Sequence, residues 1–147
     1  LKGPAFGAFE PILKTPGVTF VNLQYGDRSL ELAWARDNLG IEIIDDKSVD
    51  ALQDMDAFAA QVAAMDLVIS TSNTAVHAAA AVGTPTWVLL PKGRGRMWYW
   101  FHERADSPWY GSVRLFSQTH AGEWDGAVAE CAASFRAFCA AEKSEKS

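Results

Sequence analysis

Val68-Ile69-Ser70-Thr71-Ser72-Asn73-Thr74-Ala75-Val76-His77, the alanines Ala78 to Ala81, and Gly83-Thr84-Pro85-Thr86-Trp87-Val88-Leu89-Leu90-Pro91 are the stretch from which the fold is read. It describes a buried strand, a short polar turn, a helix of small residues and a second buried strand. A polar turn between a parallel strand and a helix exposes free backbone N–H groups at the positive end of the helix dipole. That is a ready-made anion site, most often for phosphate.

The same alternation extends in both directions. Val18–Leu23 reads as a strand entered through Pro16-Gly17. Ser29 reads as the cap of a helix to Leu39, with Leu30, Leu32, Ala33 and Leu39 on its apolar positions and Gly40 stopping it. A short strand Ile41–Ile44, an acidic loop from Asp45 to Asp54 and a helix Asp56–Ala64 follow. The strand Leu67–Ser70, the helix Thr74–Val82 and the strand Thr86–Leu90 come next. Strands alternating with helices at this spacing predict βαβ units, an α/β fold with a Rossmann-like parallel sheet flanked by helices. Pro91 to Pro108 breaks the pattern with cations and aromatics. Val113–Phe116 adds a strand, and a helix runs from Trp124 to Ala141 with Val128, Cys131, Ala132, Phe135, Phe138 and Cys139 on one stripe. Residues 1–141 are expected to form one domain, with Glu142–Ser147 as a frayed tail.

Composition narrows the function classes. A chain of 147 residues, 49% hydrophobic and 21% charged, is sized for one domain with a core. A net charge of −5 argues against a general nucleic-acid binder. No apolar run approaches the roughly 20 residues of a membrane span, and no signal peptide is visible, so a soluble, cytoplasmic protein is expected. Cys131 and Cys139, roughly 12 Å apart along one helix, are too distant for a disulfide and read as small core residues.

In an open parallel sheet, ligands bind beyond the carboxyl ends of the strands. Four loops, Gln24–Asp27, Asp45–Asp46, Ser70–Thr74 and Pro91–Arg96, are therefore expected to line one rim. Ser72, Asn73 and Thr74 either hold a pyrophosphate or simply cap the helix. His77, about one turn further on, either reaches back to a phosphate oxygen or is a satisfied core histidine. Lys92, Arg94 and Arg96, spaced by Gly93 and Gly95, form a positive lobe suited to a di-anion, or a solvated loop. Met97-Trp98-Tyr99-Trp100-Phe101 packs over the sheet or offers a stacking surface, the former being favoured. Asp27 accepts from a ribose hydroxyl, as acids after a strand do in nucleotide-binding folds, or serves the turn and the next helix. Asp54-Met55-Asp56 has the D-x-D form of some metal sites, but its place at a helix start makes it a cap. His102 and His120 have no acidic or thiol partner at diagnostic spacing. No nucleophile–base set is visible, and no metal or cofactor is implied.

Val18–Asp27, Asp56–Pro91 and the segment Lys92-Gly93-Arg94-Gly95-Arg96, Trp98-Tyr99-Trp100, Ser107-Pro108-Trp109-Tyr110, Arg114-Leu115-Phe116 and Gln118 resemble the C-terminal domain of heptosyltransferase-like (family 9) glycosyltransferases. Within them, the chain is most similar to the bacterial branch in which this domain follows tetratricopeptide repeats. The resemblance runs from about Phe9 to Phe138. It implies the C-terminal half of a GT-B fold, which binds a nucleotide-diphosphate sugar without a required metal, through Ser72–Thr74 and His77 on the phosphates and Asp27 near the nucleoside. It also implies an N-terminal acceptor domain carrying the catalytic base, and a first strand, both lying outside this chain. Ser72 stands where the family usually has Asp. The expectation is a donor-binding domain that transfers no sugar alone, with Lys92 and Arg94 as further contacts. The rival is a non-catalytic interaction module whose contact surface is Trp98–Trp109. An uncovered sheet edge predicts a homodimer.

Overall fold

The structure, a computed structural model, describes residues 3–101 and 103–146. At its centre lies β2 (Thr86–Leu90), all five residues of which are buried. β1 (Val68–Thr71) and β3 (Val113–Ser117) pair with it in parallel, giving the order β1-β2-β3 with Val68 opposite Thr86 and Thr86 opposite Val113. The α/β class and the parallel sheet expected from the sequence are present. Parallel strands need crossover connections, which place helices over both faces and bury the central strand twice.

The period of two along β2 sorts its side chains between the faces. Trp87 and Leu89 join Phe116 and Ile12, the latter on α1 (Glu10–Leu13), and meet Val128, Cys131 and Phe135 on α5 (Asp125–Lys146). Val88 and Leu90 turn the other way and pack with Leu115, Trp100 and Val76 of α4 (Thr74–Ala81). A third cluster joins Val68 and Ala79 to Phe58 and Val62 of α3 (Met55–Ala63). The small residues of α4 let it lie close to both the sheet and α3. Its end is set by Gly83 at φ 83°, where its N–H donates to the Ala80 carbonyl. The Gly83-Thr84-Pro85 entry to β2 has a structural reason of its own. The buried Thr84 hydroxyl donates to the Val62 carbonyl at 2.9 Å, fastening the end of α3, and the Thr86 hydroxyl donates to the Thr84 carbonyl at 2.7 Å.

Several expectations need correction. Val18–Leu23 and Ile41–Ile44 do not become strands. They share one parallel bridge, Val21 to Ile44, with Asn22 N–H donating to the Ile44 carbonyl and Ile44 N–H to the Phe20 carbonyl. Val18 and Phe20 pack against the α5-side core and Leu23 against the α3-side cluster, while Ile44 stays half exposed. The apolar pattern there reports partial burial without a ladder. The helix α2 (Ser29–Leu39) is not capped by Ser29; Asp27 caps it, accepting from the Ser29 N–H at 2.9 Å. Only Ala35 of α2 is buried and Leu30 is 83% exposed, so its apolar positions do not form a core stripe. The D-x-D pair acts at a helix start as read, with Asp54 accepting from the Ala57 N–H at 2.9 Å. α5 continues to Lys146 instead of fraying at Glu142, with Lys143 set beside Gly17 and the two terminal lysines complementing the helix dipole.

Leu89→Ala empties space in a fully buried strand and is expected to cost about 2–5 kcal/mol in a urea melt. Leu30→Ala on the exposed side of α2 is expected to change it by less than about 0.5 kcal/mol.

Candidate functional site

The turn after β1 is built from three polar residues, each with a defined task. Asn73 is the extended N-cap of α4 (φ −153°, ψ −178°). Its carboxamide oxygen accepts from the Val76 N–H at 3.3 Å and its nitrogen donates to the Ser70 hydroxyl at 2.9 Å. Ser72 Oγ accepts from the indole N–H of Trp100 at 2.9 Å. Thr74 opens the helix and is exposed. Among the described residues, no carbonyl or side chain accepts from the backbone N–H groups of Asn73, Thr74 and Ala75. The capping reading of Asn73 is thus realised, and three unengaged donors remain at the carboxyl end of the sheet, where the helix dipole is positive.

His77 sits one turn along and does not point back at that turn with a free nitrogen. Its Nδ1 lies 3.2 Å from the Tyr110 hydroxyl and its Nε2 3.4 Å from the Tyr99 hydroxyl. The ring stacks on Trp100 at an interplanar angle of 16°. Burial alone lowers its pKa below the usual 6.5, because the imidazolium would lose hydration. A neutral ring has one N–H and one lone pair, so one tyrosine donates to it and the other accepts from it.

Tyr99 and Tyr110 belong to the aromatic excursion, which divides its residues between two roles. Trp100 is fully buried in the sheet core, as the packing reading expects, whereas Trp98 is 74% and Trp109 57% exposed. Trp109 is held by its indole N–H donating to the Tyr99 carbonyl at 3.0 Å, and stands edge-to-face with Trp98. His77, Trp98, Tyr99, Trp109 and Tyr110 line a shallow cavity of about 350 Å3 that is open to solvent.

The expected cationic lobe separates into three environments. The Lys92 ammonium donates to the Thr119 carbonyl at 2.8 Å and its backbone N–H to the Gln118 side chain at 3.0 Å, so Lys92 ties the end of β2 to the loop after β3. Arg94 is exposed and has no hydrogen-bond or ion-pair partner among the described residues. Arg96 is partly buried and donates to Ser117 Oγ at 2.9 Å and to the Phe101 carbonyl; among the described residues it pairs with no carboxylate, and its buried Nη2 has no partner. Burial lowers its pKa. Holding Phe101 in this way accompanies a left-handed backbone there, at φ 56°.

Asp27 lies elsewhere. It helps line a second cavity of about 440 Å3 between the Asn22–Arg28 and Asp45–Leu52 segments, which Asn22 links by donating to Asp45 at 3.1 Å. The Ser29 hydrogen bonds hold its carboxyl below the ordinary range. Of the four rim loops, Gln24–Asp27 and Asp45–Asp46 therefore line the acidic cavity, whereas the aromatic cavity is lined by residues beyond Ser70–Thr74 and Pro91–Arg96. His120 has an acidic neighbour after all, Glu123 at 3.7 Å, in an exposed pair of little energetic weight. His102 lies outside the described residues. Burial pushes the Cys131 thiol up to about 12, which makes it an inert core residue. Sequence reasoning missed Tyr99, Trp100 and Tyr110 as partners of His77. The density of aromatics before and after Ser107-Pro108 was the available signal.

No family model matches this chain. A relative, Protein FlbA of Caulobacter vibrioides, is 42% identical over 139 residues, covering 92% of this chain and 22% of its own length. The chain thus spans about a fifth of that protein. These findings overturn the assignment to heptosyltransferase-like glycosyltransferases. The motifs quoted for it are short, and the turn and strand entry they contain have local capping and packing reasons. No solved structure matches. Among the described residues, no helix is long and apolar enough to cross a membrane.

The depressed pKa of His77 has a consequence for stability. Above pH 6.5 the ring is neutral in both folded and unfolded chains, and its contribution is fully present. As pH falls through 6.5 the unfolded chain takes up the proton first, and the contribution is lost towards the lower folded value. Urea melts between pH 7.5 and 5.5 are expected to show falling stability for the native chain and a flatter profile for His77→Gln; equal slopes would assign the loss to other groups.

Proposed function

We propose that this domain binds the diphosphate of a nucleotide-activated sugar at the turn before α4 and serves as the donor-binding part of a sugar-transferring protein. The carrying observation is the set of three unengaged backbone donors at Asn73, Thr74 and Ala75, at the carboxyl end of a parallel strand and one helical turn from the aromatic cavity. Parallel α/β sheets bind anions at this place. Ser72 and Thr74 add hydroxyls, Asn73 holds the turn open, and His77 anchors the neighbouring cavity. Arg94 is the free cation of the lobe, whereas Lys92 is occupied. Asp27 contributes only if the ligand also spans the acidic cavity. The domain would stabilise the charge that develops on the diphosphate as it leaves. Acceptor and catalytic base would come from another domain, so this chain alone is proposed to be inactive.

One observation favours the rival reading, a non-catalytic interaction module: the exposure of Trp98 and Trp109. Trp100, expected to share that surface, is buried instead.

Calorimetric titration with UDP, ADP and GDP tests the proposal. One diphosphate is expected to bind in the micromolar range. Thr74→Asp places a carboxylate at the start of α4, where the dipole favours folding but repels the ligand; it is expected to weaken binding at least about tenfold, or ~1.4 kcal/mol. Binding that survives this substitution unchanged would remove the turn from the site.

A further inference from the structure

We infer that the aromatic cavity of His77, Trp98, Tyr99, Trp109 and Tyr110 is a nucleobase subsite. This rests on the nucleotide reading above and goes beyond it by assigning the base to a place. The cavity is at the lower end of the size range of small-ligand sites and lined by rings. Four of its five lining residues are hydrogen-bonded in place, and the exposed Trp98 stands edge-on to Tyr99 and Trp109. Trp109 is pinned to the Tyr99 carbonyl, Tyr99 and Tyr110 to the two nitrogens of His77, and His77 is stacked on Trp100. Trp100 in turn donates to Ser72, so cavity and anion turn are joined by one chain of contacts. His77 and Thr74 are neighbours on one face of α4, with Cβ atoms about 5–6 Å apart. A ribose is the size of unit that links a base in the cavity to phosphates at the turn.

The polar content of the cavity selects among ligands. With His77 neutral, the tyrosine facing its N–H keeps its own hydroxyl proton to donate, and the tyrosine facing its lone pair keeps oxygen lone pairs to accept. The cavity therefore offers one donor, one acceptor and otherwise π faces. A base has apolar faces and one polar edge with both functions, which this matches. A sugar ring carries hydroxyls around its whole circumference, and most would go unpaired here. An organic cation is attracted to aromatic faces, but the segment that builds the cavity carries Lys92, Arg94, Arg96 and Arg104 against Glu103 and Asp106.

The test follows tryptophan fluorescence while uridine, cytidine, adenosine and guanosine are added without phosphate, with inorganic pyrophosphate titrated separately by calorimetry. One nucleoside is expected to quench saturably. Trp98→Ala and Trp109→Ala should weaken it at least tenfold and leave pyrophosphate binding unchanged, with a cooperative melting transition retained in each. Tyr110→Phe should weaken the same nucleoside while leaving the aromatic wall in place. Failure of all four nucleosides to saturate at millimolar concentration overturns the inference, as does unchanged binding in both tryptophan variants, or saturation by glucose or tetramethylammonium instead. Pyrophosphate binding that is lost in Thr74→Asp while no nucleoside binds sinks this inference and leaves the diphosphate reading standing. Nucleoside binding without any pyrophosphate binding does the reverse.

Discussion

The structure depends on covering β2 from both sides. Five consecutive buried residues leave no face of that strand for water, so every helix that packs on it must be present at once. Trp87 and Leu89 require α1 and α5; Val88 and Leu90 require α4 and the aromatic excursion. Backbone polar groups of β2 are satisfied by parallel neighbours on each edge. The carboxyl ends of all three strands consequently open on one edge of the sheet, and that is where the polar turn and the excursion meet.

Trp100 converts this packing into a site. An indole ring fully out of water still has an N–H to satisfy, and Ser72 Oγ supplies the acceptor. The same ring offers its face to His77, whose two nitrogens then order Tyr99 and Tyr110. Interior packing, the helix start and the cavity wall are therefore not independent features. A change at Trp100 is felt at the turn and in the cavity together, whereas a change at Trp98 falls on the cavity wall and one at Trp109 on the wall and on Phe101. The cations follow a similar division: Lys92 and Arg96 fasten loops to the ends of β2 and β3, and Arg94 stands exposed with no partner among the described residues.

Short motifs proved poorer guides than patterns. Ser72-Asn73-Thr74, the His77 spacing and Gly83-Thr84-Pro85 suggested a family that no family model supports. Each has a local cause here: a cap, an aromatic anchor, and a buried threonine pair that clamps α3 to β2. Asp27 reads the same way from sequence whether it meets a ribose or caps a helix, because both use a carboxylate just past an extended segment.

The sequence by itself determined the α/β class, the parallel β1–α4–β2 unit, the helix stop at Gly40, the capping role of Asp54, and the core placement of Cys131. These follow from local rules: hydrophobic period, caps, and glycine's access to positive φ. Only the tertiary structure decided that Val18–Leu23 and Ile41–Ile44 share one bridge instead of a ladder, since a half-buried extended segment and a paired strand have the same pattern of side chains. It also decided which tryptophan is core and which is surface, for Trp98 and Trp100 are two residues apart in a 3-10 turn whose direction depends on the sheet beneath it. The pairing of His77 with Tyr99 and Tyr110 spans 22 and 33 residues. Contacts across such separations are set by how the elements pack, and no local preference of the chain encodes them.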